Sequence, residues 1–259
     1  MSRNRWLARL GTDRRGVSET LGYILVFSII ITTITTASVF GFTGLEDRQE
    51  AEAVTNVERA FDVLSDNFGD ISRYEDPSRA TEIRLAGGTV GVGDPVTITL
   101  GQWDAENGSF VTTDQTNTTF RPLEFQSDGG DVIYEGGVVF RADDSRSIAR
   151  SSTPIVEGEE TAVISPVHTT LGSGPTAVGG ERTILVVGEH RSNTVPLANR
   201  TVEGDDLRLR IESPRADGWA RQFEHEGYES AIPSTDVVVV ALPVGRARLS
   251  ITRIAVQFD

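Results

Sequence analysis

The feature that most limits this chain is an uninterrupted run of 22 residues without a charge, Leu21 to Phe42. As a helix it is about 33 Å long at ~1.5 Å per residue, which matches a hydrocarbon layer of ~30 Å. A run of this length exceeds the apolar core of a secretory signal, and no small-x-small cleavage motif follows it. Arg3, Arg5, Arg9, Arg14 and Arg15 precede it; Glu46, Asp47, Glu50 and Glu52 follow. That asymmetry predicts a single-pass membrane protein with a cytoplasmic N-terminus and an extracellular C-terminal domain.

The run also has internal detail. Ser28, Thr32 and Thr36 recur every four residues and share a helical face, and Ala37 and Gly41 form a small-xxx-small pair. Two readings stay open: the hydroxyl face packs against another helix, or each hydroxyl bonds back to its own backbone.

Beyond Gly44 the pattern changes from wholly apolar to amphipathic. Val54, Val57, Phe61, Leu64, Phe68 and Ile71 fall at steps of three and four, with Glu50, Glu52, Glu58, Arg59 and Asp62 between them. The spacing predicts a helix over 17–72: a transmembrane part, 17–44, and an amphipathic extension, 45–72. The extension needs a partner, either its own downstream domain or neighbouring subunits.

From Glu82 the period shortens to two. "EIRLA", "PVTITL", "SFVTT", "TFRPLEF", "DVIYE", "GVVFRA", "TAVIS", "TILVVGE", "LRLRIE", "TDVVVVAL" and "RARLSITRIAVQF" are β-branched and punctuated by Gly, Asp, Asn and Pro. They predict an extracellular β-rich domain over 80–259, mostly antiparallel and sandwich-like, with a hairpin turned at Gly136-Gly137. A short helix interrupts it, capped by Ser213 and opened by Pro214, with Trp219 and Phe223 anchoring it on a sheet. The fold class expected is therefore α+β. The glycine-rich stretch 170–183 reads as a surface loop or hinge.

"RRGVSETLGYILVFSIIITT" resembles the N-terminal segment of archaeal type IV pilins and the related flagellin-N-terminal-like proteins of haloarchaea. With "VERAFDVLSDNF", "PSRATEIRLA", "VIYEGGVV", "SPRADGWARQFE" and "LSITRIAVQF", the chain resembles a haloarchaeal pilin-like family of unknown function along nearly its whole length. The resemblance implies that residues 1–16 are a basic prepilin-type leader, cut by a prepilin peptidase between Gly16 and Val17. It also implies that the N-terminal helix meets other pilin-like subunits, in a minor pilin, a pseudopilin or a surface filament. Many such pilins read Val-Ser-Pro at the mature start, whereas this chain has Val17-Ser18-Glu19. Glu19 would be third in the mature chain; the assembly glutamate of bacterial pilins is fifth. It is a candidate assembly residue beside Ser28, Thr32 and Thr36. The alternative is a monomeric tether with an uncleaved N-terminus and an extracellular binding domain.

The charge balance points to a halophilic source, with a GC-rich genome as the alternative. The formal charge is −14, residues 1–16 carry about +4, and every basic residue is arginine. An acidic surface of this size argues against nucleic acid. It suits a high-salt environment, where screening lengths fall to about 3 Å, and it also follows from GC-rich codon usage.

Little in the sequence points to chemistry. There is no cysteine. His168, His190 and His225 sit on separate elements with no metal-ligand spacing. Asp143-Asp144 and Asp205-Asp206 lie beside turns without calcium-loop spacing, and no Gly-x-Ser-x-Gly elbow appears. The sequence assigns no catalytic residue, cofactor or metal. Three N-glycosylation sequons, at Asn107, Asn117 and Asn199, lie in the expected exterior.

Overall fold

The computed structural model describes residues 14–143, 146–191, 199–204 and 206–259. The chain divides into two compact units, Met1–Gln49 and Glu50–Asp259. Helix α1 (Arg14–Tyr74) contributes to both.

Its end has a clear cause. Glu75 has φ 56°, in the left-handed region, and Pro77 follows two residues on. Neither can continue the helix.

The second unit holds nineteen strands among the described residues. They begin with β1 (Ser78–Arg84), β2 (Thr89–Val92), β3 (Val96–Asp104), β4 (Ser109–Phe120), β5 (Leu123–Gln126), β6 (Asp131–Glu135) and β7 (Val138–Ala142). Next come β8 (Ser147–Ala149), β9 (Ile155–Glu157), β10 (Thr161–Ile164), β11 (Val167–Leu171), β12 (Ala177–Gly179) and β13 (Thr183–His190). After β14 (Asn199–Glu203) and β15 (Leu207–Glu212) comes helix α2 (Ala216–His225), then β16 (Ser230–Ser234), β17 (Val237–Leu242), β18 (Arg246–Ser250) and β19 (Thr252–Phe258). The class is α+β.

The strands form four sheets, ordered β1-β13-β19-β11, β14-β18-β10-β9, β12-β2-β5-β6-β7-β8 and β16-β17-β15-β3-β4. This is not a plain two-sheet sandwich. The six-stranded sheet is buried on both faces and separates two cores. On one face Val132, Tyr134 and Val139 join Val54, Val57, Phe61, Leu64, Phe68 and Ile71 of α1. On the other, Ile133, Val138 and Phe140 join Trp219 and Phe223 of α2 and the inner residues of β3, β15 and β17. Two-sided burial explains why "DVIYEGGVVF" reads as a near-continuous apolar run instead of a clean alternation.

The amphipathic half of α1 thus has its partner in its own downstream domain. Each of its six stripe residues is 0–1% exposed. Gly188 on β13 permits the close approach. A methyl group there would lie 2.4 Å from Cε1 of Phe68.

Several local expectations change. The stretch "RARLSITRIAVQF" divides at Ile251 into β18 and β19, which belong to different sheets. β10 and β11 make the same step at Ser165-Pro166, and the two segments pair in parallel, β10 with β18 and β11 with β19. The remaining pairs are antiparallel, so two crossing segments account for the exceptions. "TFRPLEF" breaks at Pro122, which has no N–H for a ladder. The stretch 170–183 is not all loop, because β12 within it pairs with β2. α2 starts at Ala216, later than expected. Ser213 accepts the Arg215 N–H in a local turn, and the N-cap Arg215 has no side-chain cap bond. The Gly136-Gly137 turn joins β6 to β7, with φ 62° and 107°, both positive as a type I′ turn requires.

Candidate functional site

In the first unit, Glu19–Phe40 is long and apolar enough to cross a membrane, with mean hydropathy 2.0 and none of it buried. Leu21, Leu25, Phe27, Ile29, Ile30 and Ile34 stand around the helix, each roughly half exposed or more. An apolar surface this extended marks a lipid or protein interface.

Along it, Ser28 donates its hydroxyl to the Ile24 carbonyl at 2.7 Å, and Thr32 to the Ser28 carbonyl at 2.7 Å. Thr33 does the same to Ile29 at 2.8 Å. These hydroxyls are satisfied inside the helix, so an apolar environment would leave no unpaired donor there. Their short side chains, with Thr36 and Ala37, leave a shallow groove flanked by Leu25 and Ile29. Glu19 is exposed, and the bond between Gly16 and Val17 falls in the first turn of α1. Positions 1–13 of the expected leader lie outside the described residues.

The second unit has a buried ionic cluster that sequence reasoning missed. Glu135 is fully buried. Its Oε2 accepts from Arg215 Nε at 2.7 Å, and its Oε1 accepts from the Trp219 indole N–H at 2.7 Å. Arg215 Nη2 also lies 2.6 Å from Oε2, as an ion-pair contact without hydrogen-bond geometry. Arg215 Nη1 donates to Glu124 Oε1 at 2.9 Å.

Burial disfavours the guanidinium charge, but the two carboxylates outweigh it and raise the Arg215 pKa. Burial raises the Glu124 pKa against the pull of Arg215. The cluster pins the start of α2 to the central sheet. Breaking such a pair costs about 3–5 kcal/mol, because one charge is left buried alone. Its signal was parity: Glu135 is two residues after Ile133 and so faces the same core, although an acid beside Gly-Gly reads as a turn residue.

A second clamp joins Glu58 of α1 to Arg141 at 3.3 Å and Arg150 at 2.5 Å. The Tyr134 ring meets Phe68 of α1 edge-on at 5.3 Å. Its hydroxyl is buried without a hydrogen-bond partner among the described residues, and burial pushes its pKa far up.

The three histidines lie on β11, β13 and α2, and no metal-binding group of side chains occurs among the described residues. His168 Nδ1 is 3.3 Å from the Thr118 hydroxyl, and burial followed by Arg253 pushes its pKa down to about 4. Asp144 and Asp205 fall outside the described residues. Asn107 is in the turn between β3 and β4, Asn117 is inside β4, and Asn199 starts β14.

A family model described as a family of unknown function (DUF7289) matches residues 15–259. None of the curated proteins and none of the solved structures matches the chain.

Proposed function

As the chain belongs to that family, which carries no assigned activity, we propose from its own residues that it is a pilin-like surface protein held in the cell membrane by its N-terminal helix. The observation that carries this reading is the wholly unburied apolar span Glu19–Phe40, placed directly after a segment of about +4 charge. In this reading residues 1–16 are the leader, the helix anchors or assembles, and the folded unit is displayed outside. The folded unit outweighs the span, which fits a minor subunit or pseudopilin better than the bulk subunit of a filament. High external salt suits the acidic surface.

A monomeric tether is the second reading. Two observations favour it: the stripe Val54–Ile71 is covered by its own domain, and the Ser28 and Thr32 hydroxyls bond within their helix.

The chain has no cysteine, so one engineered at exposed Glu181 is a clean reporter. The expected result for Glu181→Cys is labelling by a membrane-impermeant maleimide on intact cells, with the chain retained in the membrane pellet after an alkaline wash. Labelling only after lysis, or release by the wash, contradicts the proposal.

A further inference from the structure

We propose that Asn107 is the asparagine that carries an N-linked glycan, and that the other two sequons stay bare. This rests on the exterior placement proposed above.

The three sequons sit in different backbones. Asn117 is inside β4 opposite Thr99, and the hydroxyl of its sequon, Thr119, lies 3.0 Å from the Thr97 hydroxyl. Asn199 is paired with Ser250, and its sequon threonine, Thr201, is paired with Arg248. A transferase must bend the sequon to bring amide and hydroxyl together in its own site. A laddered strand resists that bending because its backbone bonds would have to break.

Asn107 is in a four-residue turn, 105–108, where every residue and the sequon hydroxyl of Ser109 are exposed. Gly108 has φ 61°, and a Cβ there would meet nothing within 4 Å among the described residues, so the chain next to Asn107 is open. The turn is closed by one side chain. Asp104 Oδ1 accepts the N–H groups of Glu106 and Asn107 at 2.9 and 3.1 Å. Its Oδ2 accepts from Asn107 Nδ2 at 2.5 Å. At its base Trp103 meets Phe110 edge-on at 5.4 Å, with the Arg208 guanidinium 5.0 Å over the Trp103 ring. The carboxamide thus sits on an exposed hairpin tip, where the bonds to the Asp104 side chain, and no strand-ladder bond of Asn107 itself, have to open before the sequon bends.

The donor is a lipid-linked glycosyl phosphate. The Asn107 nitrogen bonds to the anomeric carbon as the bond from that carbon to the phosphate oxygen breaks. The lipid phosphate leaves with the electron pair, and the amide gives one proton to a base of the transferase.

The test is mass spectrometry of the full chain from its own cells, digested after Asp104, Glu106, Asp114 and Glu124 to separate Asn107 from Asn117. Glu181→Cys labelling runs in parallel. The expected result is sugar mass on the Asn107 peptide, lost completely in both Asn107→Gln and Ser109→Ala, and unchanged in Asn117→Gln. A bare or merely deamidated Asn107 overturns the proposal, as does sugar on Asn117 or Asn199. Where the cysteine is still labelled from outside, only the glycan assignment fails; where it is not, the exterior placement fails with it.

Discussion

Two parts of one helix, Glu19–Phe40 and Val54–Ile71, are both apolar and meet opposite fates. The first presents Leu, Ile and Phe on every side and buries none of them in the folded chain. The second confines its apolar residues to one stripe and buries all six against its own sheets. The distribution of apolar residues, more than their number, decides what a helix asks for. A stripe is satisfied by one flat partner, whereas an all-round apolar surface needs surroundings on every side, which lipid or a bundle of like helices supplies.

The largest break in this comparison is Phe68→Ala. It removes a ring packed on Gly188 and Tyr134 and costs about 3–5 kcal/mol. Urea unfolding of the detergent-extracted chain should show that loss, with membrane retention unchanged. Ile30→Arg is the converse. A charge at the middle of the span costs about 2.5–3.5 kcal/mol of insertion. It should lower the membrane-pelleted fraction and leave the unfolding midpoint where it was.

Smaller changes sharpen the same contrast. Gly188→Ala forces a methyl against Phe68 and should cost about 1–3 kcal/mol, while Gly22, with open space around its Cβ position, should accept alanine without effect on the folded unit.

Acid should act on the folded unit through His168. His168 has a folded pKa of about 4, below its unfolded value of ~6.5, so the unfolded chain takes up the proton first. Stability from its neutral burial is full above pH ~6.5 and falls as pH drops towards about 4. His168→Gln should flatten the unfolding midpoint across that window.

The smallest effect is a gain. Glu75→Gly relieves a left-handed residue at the end of α1 and should add about 1 kcal/mol.

Sequence periodicity already located both parts of the helix. The stripe positions are the buried ones, and the strand runs at Val96, Thr183 and Leu207 match observed elements because each is long enough to show its alternation. β8, β9 and β12 are three residues long. Alternation over so few residues carries no signal, and pairing with neighbours defines them. The parallel crossings were hidden for another reason. Which strand lies beside β18 is a long-range property that no local window holds. The Arg215–Glu135–Glu124 cluster escaped because each member taken alone resembles a solvated charge; only the two-sided burial of the central sheet makes Glu135 an inner residue.

The anchor is where a single measurement decides most. The N-terminus of the mature chain from its own cells should be read by mass spectrometry, with and without the prepilin peptidase. The account predicts a chain beginning at Val17 that reverts to the full leader when the peptidase is absent. An intact Met1 in both strains contradicts it and leaves the span as an ordinary tether.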